Sequence, residues 1–192
     1  MADPVTISLA GLTSVALNEG IKFLYGQAGE LLKRWRERRD KAKETGSELA
    51  ATEAVDTNLP QAVFAGQLQN PQIHFHQLDV CVKQLSGVRQ ELTPFVDGIE
   101  DVDASRRDLL DHVDLLRNLL ESVYQQRITF LGEDRPQSGT LVTARIDVGR
   151  ISGDAAALRA KELRSGTVRV EAHADTVETD GKLTGAEIDR IG

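Results

Sequence analysis

Apolar residues dominate the first part of the chain. Residues 5–43 predict one long helix, which its glycines could break. Before residue 27 the apolar positions surround most of the helix, a pattern typical of a helix that is central in a bundle or in contact with lipid. The candidates for membrane contact are the large apolar residues, together with one tryptophan further along: Ile7, Leu9, Leu12, Val15, Leu17, Ile21, Phe23, Leu24 and Trp35.

The second half of this predicted helix is basic. A cation near an anionic lipid surface contributes about 1 kcal/mol to binding. The candidates for contact with an anionic surface are Lys33, Arg34, Arg36, Arg38, Arg39, Lys41 and Lys43. Two hypotheses stay open: the apolar half enters lipid conditionally, or it is the central helix of a bundle whose basic half is solvated or pairs with acidic residues. A permanent span is not expected, because residues 4–18 are the longest uncharged run and a bilayer requires about 20 residues.

A second helix is predicted over about 72–92. Its start is expected at Pro71 or Gln72, because a proline in the first turn costs little. One face is apolar at helical spacing, formed by Phe75, Leu78, Cys81, Val82, Leu85, Val88 and Leu92. Pro94 should end or kink this helix. Residues 44–60 before it are acidic and small, and we interpret them as a linker or a weak helix.

A third helix is predicted over about 105–127. Ser105 and Asp108 have the spacing of a capping box, in which a serine and a carboxylate three residues later satisfy the first backbone amides. Apolar residues then recur at alternating intervals of four and three, at Leu109, Val113, Leu116, Leu120 and Val123. Further apolar neighbours widen this stripe, so the helix should face a core.

The chain changes character after a charged linker at 132–138. Beyond it, glycines open short runs in which apolar residues alternate with others, as in β-strands. The runs at Gly139 and Gly166 resemble each other, as do those at Gly149 and Gly181, which indicates weak repeats that stack as rungs or pair as hairpins. The candidates for β assembly are Val142, Ala144, Ile146, Val148, Ile151, Val168, Val170, Ala172, Leu183 and Ile188.

These elements predict an α+β fold. A helical bundle of at least three helices over 1–131 is followed by a glycine-punctuated, β-rich repeat element over 139–192. Inside that element, residues 154–164 could instead form a short helix. Weak repeats bury little surface alone, so they require more copies, another chain or the helical domain as a lid.

Composition and charge narrow the classes of function. With 40% hydrophobic but only 4% aromatic residues, the core must be mainly aliphatic. The net charge of −7 argues against nucleic-acid binding, although residues 1–43 sum to +3 and the rest therefore to −10. One cysteine and no visible secretory signal predict a cytoplasmic protein, peripheral to the inner face of the membrane if lipid contact occurs.

Few residues are candidates for chemistry. His74 and His76 would point apart on a helix, and no cluster of cysteines or carboxylates joins them, so no metal site is expected. Cys81 and His112 fall on apolar faces and are interpreted as packing residues. Phosphate-binding, nucleophile-elbow and dinucleotide motifs are absent from the sequence. We therefore expect no catalytic residue, cofactor or small-molecule substrate, and keep an enzyme or metal site assembled between subunits as an alternative.

The opening MADPVTISLAGLTSVALNEGIKFL, the helices and the glycine-rich tail together resemble the HeLo-like and Bell-type cell-death effectors of fungi and bacteria. The resemblance implies a pore-forming helical domain with an exposed N-terminal helix. It also implies a C-terminal motif, often of two imperfect repeats, that templates a β-solenoid amyloid. The many charges of this tail favour ordinary β pairing over a dry amyloid zipper. The composition also resembles small actinobacterial proteins without a known activity.

The function expected from these features is protein–protein assembly. The β-rich element should mediate self-association or recruit a protein partner, and the helical domain should carry the output of a scaffold or adaptor. A conditionally membrane-active effector that uses the N-terminal helix is the alternative.

Overall fold

The structure, a computed structural model, describes residues 9, 11–46, 50–55, 63–66, 68, 70–161 and 167–190. The chain forms two compact units, Met1–Ser138 and Gly139–Gly192. The first contains the helices and the second contains strands, which confirms the predicted α+β class.

The helices of the first unit are α1 (Ser14–Thr45), α2 (Phe75–Val96) and α3 (Arg107–Tyr124). Three short strands accompany them: β1 (Thr52–Ala54), β2 (Gln72–His74) and β3 (Gln126–Arg127). Fully buried aliphatic side chains from each helix form one core, including Leu17, Ile21, Leu24, Leu31, Leu78, Leu85, Leu92, Leu109, Val113, Leu116 and Leu120. The apolar spacing of the sequence therefore identified the faces that pack together.

Helix α1 begins later than the sequence predicts. The hydroxyl oxygen of Thr13 caps it by accepting the amide of Ala16 at 3.3 Å. Residues 11–13 are not helical, so the predicted long helix is broken at its first glycine, one of the breaks that the sequence allowed. The other end is at Gly46, whose positive φ of 60° forms a left-handed cap and whose amide donates to the Ala42 carbonyl. Residues 5–8 of the predicted helix lie outside the described residues.

The predicted start of the second helix is wrong. Residues 72–74 form β2, which pairs antiparallel with β1 in the predicted linker, and α2 starts only at Phe75. The Ile73 side chain enters the core, so tertiary burial favours a strand here. At the other end the helix continues through Pro94 to Val96.

The predicted capping box of the third helix is also wrong. The amide and hydroxyl of Ser105 both donate to the Asp103 carboxylate, at 2.8 and 2.7 Å, and Asp108 accepts hydrogen bonds from Arg106. The N-cap of α3 is Arg106, which makes no side-chain cap bond. Because Asp103 competes for the serine, α3 begins two residues later than predicted.

The second unit contains β4 (Gly139–Ile151), β5 (Asp154–Ala160), β6 (Thr167–Val177) and β7 (Lys182–Ile188). Strand β4 pairs with β6 and β5 pairs with β7, both in parallel. The segment that could have been a helix is thus a strand over 154–160. Of the two predicted arrangements, the described strands form stacked rungs instead of hairpins.

Candidate functional site

The second unit consists of two equivalent stretches of chain. We call residues 139–161, with β4 and β5, the first rung, and residues 167–190, with β6 and β7, the second rung. In the β4–β6 pair Val142 lies opposite Val168, and in the β5–β7 pair Leu158 lies opposite Ala186. The offset is 26 residues in the first pair and 28 in the second. The second rung is therefore a copy of the first, with two extra residues at its corner.

Gly181 sits at that corner, where the chain passes from β6 to β7. A methyl group on it would lie 2.5 Å from the Ile151 carbonyl oxygen, so no larger residue fits without moving the backbone. The next amide, of Lys182, donates to the Gly153 carbonyl at 3.0 Å. This corrects the predicted repeat: position 181 matches 153, and Gly149 lies inside β4 instead of opening a strand.

Apolar residues stack on apolar residues from rung to rung. The β4–β6 register places Val142 on Val168, Ala144 on Val170, Ile146 on Ala172 and Ile151 on Val177. A methyl group on Gly185 of β7 would contact Val170 Cγ1 at 3.5 Å. A small residue at 185 thus lets β6 and β7 approach each other.

The candidate β-assembly residues all lie on these four strands. Ile151 is buried and Ala172 is exposed, whereas the others are half-buried: Val142, Ala144, Ile146, Val148, Val168, Val170, Leu183 and Ile188. The rung pair consequently leaves apolar positions partly open to solvent.

Opposite charges also face each other between the rungs. Arg150 and Glu178 are 3.6 Å apart, and Arg159 and Glu187 are 3.1 Å apart. Asp154 lies opposite Lys182 in the register. This charge complementarity is also present in the sequence, at residues 26 to 28 positions apart. The alternation of apolar residues does not reveal it.

Backbone hydrogen-bonding groups remain along the strand edges. Among the described strands, β6 ends its sheet, and β5 and β7 form both edges of theirs. An edge strand presents unpaired amides and carbonyls that can pair with another chain. The geometry of the second unit can therefore extend by addition of further parallel strands.

The candidate membrane-contact residues are mostly in the core of the first unit. Leu9, Leu12, Leu17, Ile21 and Leu24 are buried, and Phe23 and Trp35 are half-buried. Trp35 donates its indole N–H to Asp79 at 2.7 Å. Val15 is 75% exposed, and Ile7 lies outside the described residues. Within the described part of the chain, the helices lack the combination of length and apolar character needed to cross a bilayer.

The basic half of α1 is partly paired within the chain. Arg34 forms an ion pair with Glu53, and the Arg38 guanidinium lies 4.4 Å above the Phe75 ring. Arg34, Arg38 and Lys41 line a groove of about 290 Å³. The exposed cations of this half are Lys33, Arg36, Arg39, Lys41 and Lys43.

The residues considered for chemistry are not brought together. His74 ends β2, His76 lies in α2 and His112 lies in α3. Burial raises the pKa of the Cys81 thiol, whose Sγ lies 3.7 Å from the Leu78 carbonyl oxygen. No group of three or more His, Cys, Asp or Glu side chains in the described ranges is placed to hold a metal ion.

A buried ionic cluster near the end of the first unit was not anticipated. Arg117 is fully buried and forms ion pairs with Asp114 and Glu133. Arg135 pairs with Glu121, and burial raises the pKa of the Glu121 carboxyl against the opposing effect of Arg135. The heptad-like spacing assigned apolar positions of α3 to the core but gave no signal that Arg117 joins them.

Comparison of the chain with protein-family models, curated proteins and solved structures gives no match. The resemblance to HeLo-like and Bell-type effectors therefore stays a prediction.

Proposed function

We propose that this protein is a non-enzymatic assembly protein whose copies stack through the second unit, second rung upon first rung. The observation that carries the proposal is the in-register parallel pairing of two rungs with complementary charges. Stacking another copy repeats, between chains, the arrangement already present within one chain.

The backbone supports this mode of contact. Parallel strands in a sheet are about 4.8 Å apart, and each added strand satisfies the edge groups of the strand before it. Weak repeats of this kind gain stability mainly from their neighbours. A second copy supplies parallel partners for β5, β6 and β7, which lie at sheet edges among the described strands.

Charge gives the stack a direction. When β7 of one copy lies on β5 of the next, Lys182 meets Asp154 and Glu187 meets Arg159, as they do within the chain. Parallel stacking of two first rungs in the same register would instead place like charges opposite each other. Cross-strand charge pairs contribute about 0.2–1 kcal/mol each, and like charges cost a similar amount.

Such a contact joins two different surfaces, so it does not close on itself as a twofold dimer does. Heterologous contacts produce rings or open filaments. The first unit of each copy would be displayed along the assembly and carry the output of a scaffold or adaptor. We place this assembly in the cytoplasm, where the sole cysteine, Cys81, stays reduced.

Charge-swap variants test the proposal. One full-length variant carries Asp154→Lys and Arg159→Glu on β5, and a second carries Lys182→Asp and Glu187→Arg on β7. Each alone places like charges at both of these β5–β7 contacts, within the chain and between copies. Each of the two contacts changes from attraction to repulsion, a loss of about 0.7 kcal/mol per contact and about 1.4 kcal/mol together, so the concentration required for assembly should rise about tenfold. Sedimentation over a series of protein concentrations measures this threshold concentration.

Mixing the two variants is the decisive step, because β5 and β7 of different variants are complementary again. We expect the mixture to assemble at concentrations where neither variant does. A chain with all four substitutions is complementary within itself and between copies, so it should assemble alone and shows that the new side chains permit stacking. If amide exchange shows that each double variant keeps its own rungs paired, and the mixture still behaves as the sum of its components, head-to-tail stacking is wrong.

A further inference from the structure

Residues 128–138, between β3 and the second unit, cross the first unit as a short irregular segment, which we call the strap. The Phe130 ring is its central anchor. A methyl group on Gly20 of α1 would lie 2.8 Å from two carbons of this ring, so ring and helix backbone are in direct contact. On another side the ring stacks on Phe64, with centroids 5.7 Å apart.

Two buried carboxylates, one on the strap and one on α3, fix the strap backbone. Glu133 accepts the amide of Phe130 at 2.8 Å and the guanidinium of Arg117 at 2.5 Å. Glu121 of α3 accepts the amide of Ile128 at 2.8 Å and an N–H of Arg135 at 3.3 Å. Each carboxylate thus joins the strap backbone to an arginine.

The strap also pairs with the segment at 63–66. The Leu131 amide donates to the Val63 carbonyl at 2.8 Å, and the Ser138 amide donates to the Ala65 carbonyl at 2.7 Å. Ser138 exchanges further hydrogen bonds with Thr129 through its hydroxyl, at 2.9 and 3.1 Å. The last residue before the second unit is therefore part of the same network.

These bonds tie the strap to buried charged groups. The Arg117 and Glu133 side chains are both fully buried, so parting them would leave the Glu133 carboxylate without its cation in an apolar interior, while Asp114 still pairs with Arg117. Opening requires water to enter and hydrate Arg117, Glu121 and Glu133 together.

We propose that the strap locks the amino-terminal part of α1 in the core, and that its opening frees this part before the rest of the bundle unfolds. Phe130 covers Gly20, and a methyl group on Gly132 would lie 3.6 Å from the Cδ2 atom of Leu12. Ser138 is the last residue of the strap, hydrogen-bonds Thr129 and is followed directly by Gly139. The lock is independent of the stacking mode proposed above.

Hydrogen exchange of the full chain tests the lock. Glu133→Gln keeps the shape of the side chain but removes one of the two carboxylate charges that pair with Arg117. We expect backbone amides of 128–138 and of 17–24 to exchange at least about tenfold faster, with those of 78–92 in α2 unchanged. Glu100→Gln is the matched control, because Glu100 pairs with Arg106 at the surface; it should change neither segment.

With Glu133→Gln, two outcomes overturn the proposal. One is faster exchange of the strap with the exchange of 17–24 unchanged, and the other is equal acceleration of exchange in all three helices. Gly20→Ala provides a second route, since its methyl group displaces the Phe130 ring. It should accelerate exchange of the same two segments, and Phe130→Leu in the same chain should restore protection by making room. Unchanged strap exchange in Gly20→Ala would also contradict the lock.

Discussion

Single residues in the first unit are placed by competition for hydrogen-bond partners. Ser105 would cap α3 by the sequence pattern, but the Asp103 carboxylate takes both its amide and its hydroxyl. These two bonds lower the pKa of the Asp103 carboxyl. Arg106 then takes over the start of the helix, where its guanidinium bridges Asp108 and Glu100.

The bridge around Arg106 predicts a measurable titration. Hydrogen bonds from Arg106 lower the pKa of Asp108 from its ordinary 3.8 to about 2. A carboxyl whose pKa is lower in the folded state contributes stability that is fully present above 3.8 and is lost as the pH falls through about 2. Carboxyl NMR shifts should show the Asp108 midpoint near 2, and Arg106→Gln should raise it. A midpoint near 3.8 in the unmodified chain would show that the bridge does not form in solution.

At the scale of elements, the two-rung arrangement depends on the corner between β6 and β7. We predict that Gly181→Ala disrupts it, because the added methyl group meets the Ile151 carbonyl oxygen, a backbone atom that cannot rotate away. Overpacking of this kind costs about 1–3 kcal/mol. Amide exchange of 167–190 should accelerate accordingly.

Gly153→Ala is the matched control, since a methyl group there meets no atom within 4 Å. It occupies the equivalent corner of the first rung. Equal effects of the two substitutions would mean that a methyl group at 181 does not meet the Ile151 carbonyl oxygen.

The sequence predicted elements better than it predicted their partners. Apolar spacing located the core faces of α1, α2 and α3, and alternation located strands after Gly139. Parallel pairing was not deducible from alternation, because alternation specifies which residues share a face and not which strand lies alongside. The register pairs residues 26 to 28 positions apart, such as Arg159 with Glu187, and alternation alone does not specify that spacing.

Other features were missed because they depend on contacts distant in the chain. The burial of Arg117 requires Glu133 from the strap, and nothing in the helical period of α3 encodes that partner. The short strand β2 replaces the first turn of a helix because it pairs with β1 and buries Ile73. Local patterns predict neither outcome, since tertiary contacts override local propensity.

At the scale of the whole molecule, the two units differ in how complete each is by itself. The first unit buries a continuous aliphatic core and satisfies buried charges through its strap. The second has two rungs, half-buried apolar residues and edge strands, so it gains most from added neighbours. This contrast supports a division of roles, in which the second unit mediates assembly and the first unit performs the scaffold or adaptor function.

The mass of the full-length protein as a function of concentration tests this division most directly. Head-to-tail stacking predicts a weight-average mass that rises continuously with concentration in sedimentation equilibrium, and a smaller rise at high salt, where the charge pairs are screened. A single mass of 21.0 kDa for the monomer, unchanged across the whole concentration range at low salt, would contradict it.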